Sequence, residues 1–194
     1  MAMAQQLLER HGIVTREAVN AEGVVGGFTA VYGVLKVLEE RGQVRRGYFV
    51  SGLGAAQFAL PGAVDRLRTE REPNDESPPV VLAATDPAQP YGAALSWPST
   101  GGRPARTTTA VVVLDGGEAR VLLEAKAHAL VCFDGHTGDD RWVTALVSLV
   151  GSGHERSLEI RKIDGESVSD SAVSDRLRTG GFVDGYKGLV YRPG

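Results

Sequence analysis

The spacing of apolar residues changes from helical to strand-like along the first seventy residues of the chain. Between Phe28 and Leu38, apolar side chains recur at steps of three and four, and Gly42 follows just beyond. This spacing predicts one apolar stripe on a helix of about four turns. Two short runs rich in apolar and aromatic residues, Val44–Val50 and Gln57–Leu60, then flank a glycine-containing loop and predict a β-hairpin.

Two shorter helices are predicted before the long one, and a further helix after the hairpin. The run Gln5–His11 is followed by Gly12, a residue type that commonly ends helices. Thr15 is suited to cap the start of the second helix. Pro61 is suited to the first position of the last helix, where its missing N–H costs nothing. Three helices followed by a β-hairpin predict a winged helix-turn-helix domain over residues 1–71.

An acidic, proline-rich stretch at residues 72–79 has neither the helical nor the strand-like spacing of apolar residues. It contains three prolines and three acidic residues but no large apolar side chain. Because it has nothing to bury, we predict an extended linker. The linker separates the helix-rich first part from residues 80–194, which are mostly strand-like.

The part after the linker is predicted to contain six strands and two helices. The strand signals lie at Val80–Ala84, Thr107–Leu114, Ala119–Leu123, Ala129–Phe133, Ser157–Ile163 and Gly188–Tyr191. The sequence Asp-Gly-Gly-Glu at residues 115–118 is a tight-turn signal between the second and third strands. One helix is predicted to begin at Asp139 or Asp140, and another to span Asp170–Arg178. We therefore predict the α+β class, with a winged helix followed by a small β-barrel or strongly curved sheet that carries two helices.

Composition and charge exclude several classes of protein. The net charge of −3 argues against a strongly basic, histone-like DNA binder. Residues 1–70 carry eight basic and seven acidic residues, and are the better electrostatic candidate for nucleic-acid contact. No run approaches the roughly 18 apolar residues of a membrane span, and no signal peptide is recognisable. Cys132 is the single cysteine, which excludes an internal disulfide and predicts a cytoplasmic protein.

Few residues are suited to catalysis or metal binding. No Gly-rich phosphate loop ending in Lys and Ser or Thr occurs, so we predict no ATPase activity for this chain. The histidines are too scattered for a zinc site. They are His11, His128, His136 and His154. The densest acidic patch is Asp134, Asp139 and Asp140 with His136, for which a turn and a helix cap are a better explanation than a cation site. Cys132 fits a buried apolar position better than a reactive thiol.

Nucleic-acid contacts are predicted on the third helix and the hairpin that follows it. The third helix is the segment that enters the major groove in DNA-reading helix-turn-helix proteins, and arginines near the wing are placed to meet phosphates. The candidates on the non-core side of that helix and at the hairpin base are Thr29, Tyr32, Lys36, Arg41, Arg45 and Arg46. Many winged helices are packing modules instead, so the residues alone leave both roles open.

Four segments carry a resemblance to a known family. They are Val24–Tyr32, Arg45–Ala59, Ala84–Gly92 and Trp97–Pro98. These segments resemble the C-terminal region of helicases of the Lhr (large helicase-related) type. The resemblance is strong between residues 24 and 98, and it continues weakly through residues 163–166 and 180–182.

The resemblance implies an activity and partners that the spacing of apolar residues does not indicate. Lhr-type proteins resemble superfamily 2 helicases, in which a motor using ATP and Mg²⁺ moves 3′ to 5′ on single-stranded DNA and unwinds DNA or RNA–DNA duplexes. Their C-terminal region is built of tandem winged helices and ends in a β-barrel. This organisation is similar to that of AlkZ-like glycosylases. The implied partners are single-stranded or forked DNA, RNA–DNA hybrids and the preceding domains of the same helicase.

Three hypotheses for function are consistent with the sequence. The first is a DNA-binding accessory module of a repair helicase, with no cofactor and no catalytic residue of its own. The second is a base-excision domain, for which Asp134, Asp140 and Asp184 are the available acids. The glycosylase family's Gln-x-Gln motif is absent, so no catalytic residue is carried over from it. The third is a structural module that binds other protein domains.

Overall fold

Burial of apolar residues is divided between two units of the chain. The computed structural model describes residues 1–54, 56–70, 77–124, 126, 128–134 and 139–192. One unit consists of Met1–Pro73 with Ala93–Leu95, and the other of Asn74–Gly92 with Ser96–Gly194. Most of the predicted linker, residues 72–76, lies outside the described residues.

The first unit has the helix order predicted for a winged helix. Its helices are α1 (Ala2–His11), α2 (Arg16–Ala21), α3 (Gly27–Glu40) and α4 (Pro61–Thr69). Its strands are β1 (Ile13–Val14), β2 (Arg45–Gly47) and β3 (Gln57–Ala59). They form an antiparallel sheet in the order β1-β3-β2. Strand β1 was not predicted, because a segment of two residues is too short to show an alternating pattern.

Local signals in the sequence set the ends of these helices. The Thr15 hydroxyl accepts a hydrogen bond from the Ala18 N–H at 3.0 Å, which confirms the predicted cap of α2. Gly12 follows α1 with φ +68°, the left-handed conformation that favours glycine. Gly42 follows α3 in the same conformation, with φ +69°. The predicted C-terminal ends of α1 and α3 are confirmed, whereas α1 begins at Ala2 and not at Gln5.

The predicted apolar stripe of α3 forms the centre of the first core. Phe28, Val31, Leu35 and Leu38 are all buried. They pack with side chains of α1 and with Phe58 of β3, which is fully buried. Helix α3 and the hairpin β2–β3 therefore share one hydrophobic core, which holds the wing against the helix.

The second unit combines helices with two sheets. Its strands are β4 (Val80–Ala83), β5 (Ala110–Asp115), β6 (Glu118–Glu124), β7 (Ala129–Cys132), β8 (Leu158–Ile160), β9 (Lys162–Ile163), β10 (Glu166–Ser167), β11 (Val183–Asp184) and β12 (Leu189–Tyr191). Its helices are α5 (Arg141–Gly151) and α6 (Ser174–Thr179). One sheet has the order β10-β9-β7-β6-β5-β4, and the other has the order β11-β12-β8. Among the described strands, β7 and β9 are the one pair that runs in parallel. The predicted α+β content and the two helices are confirmed, but the described strands do not close into a barrel.

The predicted strand Ser157–Ile163 is wrong as a single element. Strand β8 pairs with β12, whereas β9 pairs with β7 in the larger sheet. The chain changes sheets at Arg161, where the Arg161 and Lys162 N–H groups both donate to the carbonyl oxygen of His128, at 2.8 and 3.2 Å. Similarly, α6 begins at Ser174, and residues Val168–Asp170 form a separate 3-10 turn.

The segment that resembles the Lhr family around residues 84–98 has a structural role. Gln89 is buried, and its side-chain NH₂ group donates to the carbonyl oxygens of Ala84 (3.0 Å) and Tyr91 (2.9 Å). The ring of Trp97 stacks between Tyr91, at 6.0 Å, and Phe133, at 5.5 Å. Tyr91 and Trp97 pack on one face of the larger sheet. The buried amide of Gln89 is fully partnered, because its oxygen also accepts a hydrogen bond from the Tyr91 N–H.

The longest helix of the described residues, α3, has 14 residues. Among the helices of the described residues, none combines the length and the apolar content that crossing a bilayer requires.

Candidate nucleic-acid interface

Five of the six predicted contact residues lie on the surface of the first unit. Thr29 and Lys36 are exposed on α3, and Arg41 is exposed at its C-terminal end. Arg45 and Arg46 are exposed on β2, where they pair with Ala59 and Phe58 of β3. The turn after α3 leads within a few residues to β2, so the last turn of the helix and the wing strand are joined directly. The fold thus presents cationic side chains on both elements.

Tyr32 does not lie on the side of α3 that is remote from the core, as was predicted. Its ring is half-buried and contacts Phe28 at 5.8 Å and Phe58 at 5.9 Å between ring centroids. Position 32 is four residues after Phe28, so it borders the apolar stripe, and the wing strand β3 covers it. Tyr32 therefore contributes mainly to packing between the helix and the wing.

The arginines of the wing differ in their neighbours. Arg46 Nε forms an ion pair with Glu39 Oε1 at 3.3 Å, and both side chains remain partly exposed. Within the described residues, the side chains of Lys36, Arg41 and Arg45 form no ion pair. An exposed ion pair contributes little to stability but restricts the directions an arginine can adopt. The surface therefore combines one oriented arginine with three unpaired cations.

A buried glutamine, Gln57, holds the loop of the wing, and this role was not predicted from the sequence. Its side-chain oxygen accepts hydrogen bonds from the N–H groups of Phe49 and Val50, both at 2.8 Å. Its side-chain NH₂ group donates to the carbonyl oxygens of Val50, at 3.0 Å, and Leu53, at 3.3 Å. Gln57 is fully buried and lies in strand β3. A polar residue at an inward position of a predicted strand was the available signal for this role.

Replacing Gln57 by glutamate is expected to loosen the wing loop. A carboxylate retains the acceptor for Phe49 and Val50 but loses the NH₂ donor, so two loop carbonyls lose a partner and a buried charge is introduced. We expect a loss of about 1–3 kcal/mol or more in the free energy of unfolding, measured by urea denaturation. Hydrogen exchange should increase at the N–H groups of Phe49 and Val50. Replacing the exposed Gln43 by glutamate is the matched control, and equal losses for the two variants would contradict the assigned role of Gln57.

Three acidic residues of the second unit that were named as candidates, Asp139, Asp140 and Asp184, have partners close by. Asp139 Oδ1 accepts a hydrogen bond from the Arg141 N–H at 3.1 Å, so it contributes to the start of α5 as predicted. Asp140 pairs with Arg176 at 3.4 Å, and Asp184 pairs with Arg178 at 3.0 Å.

Cys132 is a buried residue of β7, as its sequence position predicted. Burial raises the pKa of its thiol to about 12, so the thiol stays protonated at neutral pH.

The histidines in the described chain have ordinary partners. His11 Nε2 lies 3.0 Å from Glu22, and His128 Nδ1 lies 3.6 Å from Glu159 Oε2. A hydrogen bond from Arg161 is the main reason that the pKa of Glu159 is lowered. His136 of the predicted acidic patch lies outside the described residues. Among the residues that are described, no group of three or more His, Cys, Asp or Glu side chains is arranged to hold a metal ion.

Comparison with known proteins assigns the first unit to a class. A family model described as "Large helicase-related protein, winged-helix domain" matches residues 1–79. The chain is 43% identical over 203 residues to a protein of Mycolicibacterium smegmatis named "Lhr helicase/ probable uracil glycosylase", with 97% of this chain covered. It is 40% identical over 128 residues to the "Lhr helicase/uracil glycosylase" of Escherichia coli K12, with 63% of this chain covered.

The first unit is therefore a winged-helix domain, as its helices and hairpin predicted. The chain belongs to the Lhr family of large helicase-related proteins, which confirms the resemblance seen in its sequence. It spans 14% of the length of the mycobacterial relative and 8% of the length of the E. coli relative. It thus corresponds to a small region of these proteins.

Proposed function

We propose that this chain is a nucleic-acid-binding accessory region of an ATP-dependent 3′–5′ DNA helicase that acts in DNA repair. The observation that carries the proposal is a group of exposed cations on the third helix, at its C-terminal end and on the wing of a helicase-family winged helix, none of which forms an ion pair with another described residue. They are Lys36, Arg41 and Arg45. Cations in these places contact phosphates and position the strand without reading its sequence. ATP and Mg²⁺ would be bound by the motor of the parent protein, and its preceding domains would be further partners of this region.

Binding to single-stranded or forked DNA should be weak and strongly dependent on salt. Each phosphate contact to a single strand contributes roughly 0.7 to the slope of log affinity against log salt. If the three unpaired cations all make contacts, the affinity should fall about 20-fold between about 50 and 200 mM salt. Fluorescence anisotropy of the 194-residue chain with single-stranded, forked, duplex and RNA–DNA hybrid probes measures this. An affinity that does not change with salt would reject phosphate contact as the basis of binding.

A base-excision activity is the second candidate, and two observations favour it. Both relatives carry the words "uracil glycosylase" in their names. In addition, Asp184 lines a surface recess of about 300 Å³ together with Gly181, Val190 and Arg192, and excision requires an acid or amide beside a pocket for an extruded base. Oδ1 of Asp184 also forms an ion pair with Arg178 at 3.0 Å. Release of free uracil from a uracil-containing strand by this chain, and its loss in Asp184→Asn, would support this candidate over the accessory role.

A further inference from the structure

An exposed tyrosine follows the basic strand of the wing. Tyr48 comes directly after β2, and 88% of its surface is exposed. A groove of about 420 Å³ is lined by Arg46, Gly47, Tyr48 and Ala56. The groove therefore has an aromatic ring and a guanidinium group as its two large side chains, and none of the four lining residues is acidic.

The backbone around Tyr48 is held in place on both sides. On one side, Gly47 pairs with Gln57 in the sheet. The ring of Phe49 lies so close to Gly47 that a β-carbon there would be 3.0 Å from Phe49 Cζ. On the other side, the Phe49 and Val50 N–H groups donate to Gln57. A ligand that stacks on Tyr48 would thus meet a ring whose backbone needs little further ordering, which lowers the entropic cost of binding.

Arg46 is oriented beside this ring. Its ion pair with Glu39 uses Nε, and its two terminal nitrogens form no hydrogen bond within the described residues. These nitrogens are suited to bind phosphate oxygens in a fork geometry. An aromatic face next to an arginine that can bind phosphate is the combination that binds unpaired nucleotides, because every base has a face that can stack.

We propose that Tyr48 and Arg46 form a stacking site for one unpaired base of a single-stranded nucleic acid, in which the base stacks on Tyr48 and Arg46 binds an adjacent phosphate. This site deepens the proposed function and rests on it, since it specifies the form of nucleic acid that the wing prefers. Bases within a duplex are already stacked on their neighbours, so they are not available to the tyrosine. The wing should therefore prefer single strands and the unpaired arms of a fork.

The test compares a strand that has bases with a strand that has none. The 194-residue chain is titrated with a labelled short oligothymidylate and with a strand of equal length in which every nucleotide is an abasic analogue. Tyr48→Ala is expected to weaken binding of oligothymidylate roughly fivefold or more, whereas the affinity for the abasic strand stays the same. Tyr48→Phe retains the aromatic face and should bind as the parent does. Tyr186→Ala removes a second tyrosine that is 98% exposed, on the loop between β11 and β12, and should have no effect.

Three results would overturn the site while leaving the proposed function in place. In the first, the parent binds both strands and Tyr48→Ala does not change either affinity. In the second, Tyr48→Ala weakens binding of the two strands equally. In the third, Tyr186→Ala weakens binding and Tyr48→Ala does not. A parent that binds neither strand would refute the proposed function itself. Because Tyr48 is exposed, thermal unfolding of Tyr48→Ala should match that of the parent, so a loss of binding reports the contact and not the fold.

Discussion

Replacing Arg45 and Arg46 together by alanine is expected to reduce the affinity of the chain for single-stranded DNA by about 10- to 100-fold at low salt. Both side chains are exposed on β2, and Arg46 is oriented by Glu39. If each arginine contacts one phosphate of a single strand, the salt slope should decrease by about 1.4. The loss should be similar for all sequences, because phosphate contacts carry no base information. Anisotropy titrations at several salt concentrations measure both quantities.

The matched control is the double substitution of Arg66 and Arg68 by alanine. These arginines are also exposed and belong to the same unit, but they lie on α4 and not on the wing. The control removes the same net charge, so it should reproduce only the general electrostatic part of the loss. An equal loss in both double variants would show that the wing has no particular role. An unchanged affinity in the wing variant would show that the wing does not contact the strand.

Replacing Phe58 by alanine is expected to remove about 3–5 kcal/mol from the free energy of unfolding of the winged-helix unit. Phe58 is fully buried in the centre of β3, and its ring contacts Tyr32 at 5.9 Å. Its strand pairs with both β1 and β2, so the cavity would lie where all three strands meet. Because domains are stable by only about 5–15 kcal/mol, this loss should leave the unit largely unfolded well below the parent's midpoint.

Urea denaturation followed by far-UV circular dichroism measures the change for Phe58→Ala. Leu67→Ala is the control in the same unit, because Leu67 on α4 is 44% exposed and its truncation should cost less than about 1 kcal/mol. Similar midpoints for the two variants would contradict the position of Phe58 at the centre of the core. Binding to DNA should be lost together with the fold in Phe58→Ala, since Arg46 pairs with Phe58 across the sheet.

Much of the winged helix could be predicted because its signals are local. The stripe from Phe28 to Leu38 and the Thr15 cap each depend on residues within one or two turns of a helix. The Asp-Gly-Gly-Glu turn also depends on adjacent residues, and strands β5 and β6 meet there as predicted, with Asp115 paired to Glu118. Each of these features is determined by residues that are close together in the chain, so it can be identified from the sequence alone.

The candidate interface was predicted only in part. The exposed positions of Thr29, Lys36, Arg41, Arg45 and Arg46 follow from helical spacing and from the hairpin. The orientation of Arg46 by Glu39 joins two elements, and so does the packing of Tyr32 under β3. Tyr48 was overlooked because the alternation of a strand does not distinguish an exposed tyrosine from a neighbouring half-buried phenylalanine, Phe49. The role of Gln57 depends on loop carbonyls whose positions are known only in the folded chain.

The sequence by itself determined the α+β class, the helices of the winged domain and the membership of the Lhr family. Only the tertiary structure decided how the strands after residue 80 are arranged, with β8 and β9 in different sheets and the larger sheet open at its described edges. The physical reason is the separation along the sequence of the residues that interact. Helix stripes, caps and tight turns are formed by neighbours along the chain, whereas the partner of a strand is selected by packing and hydrogen bonds between residues far apart in sequence.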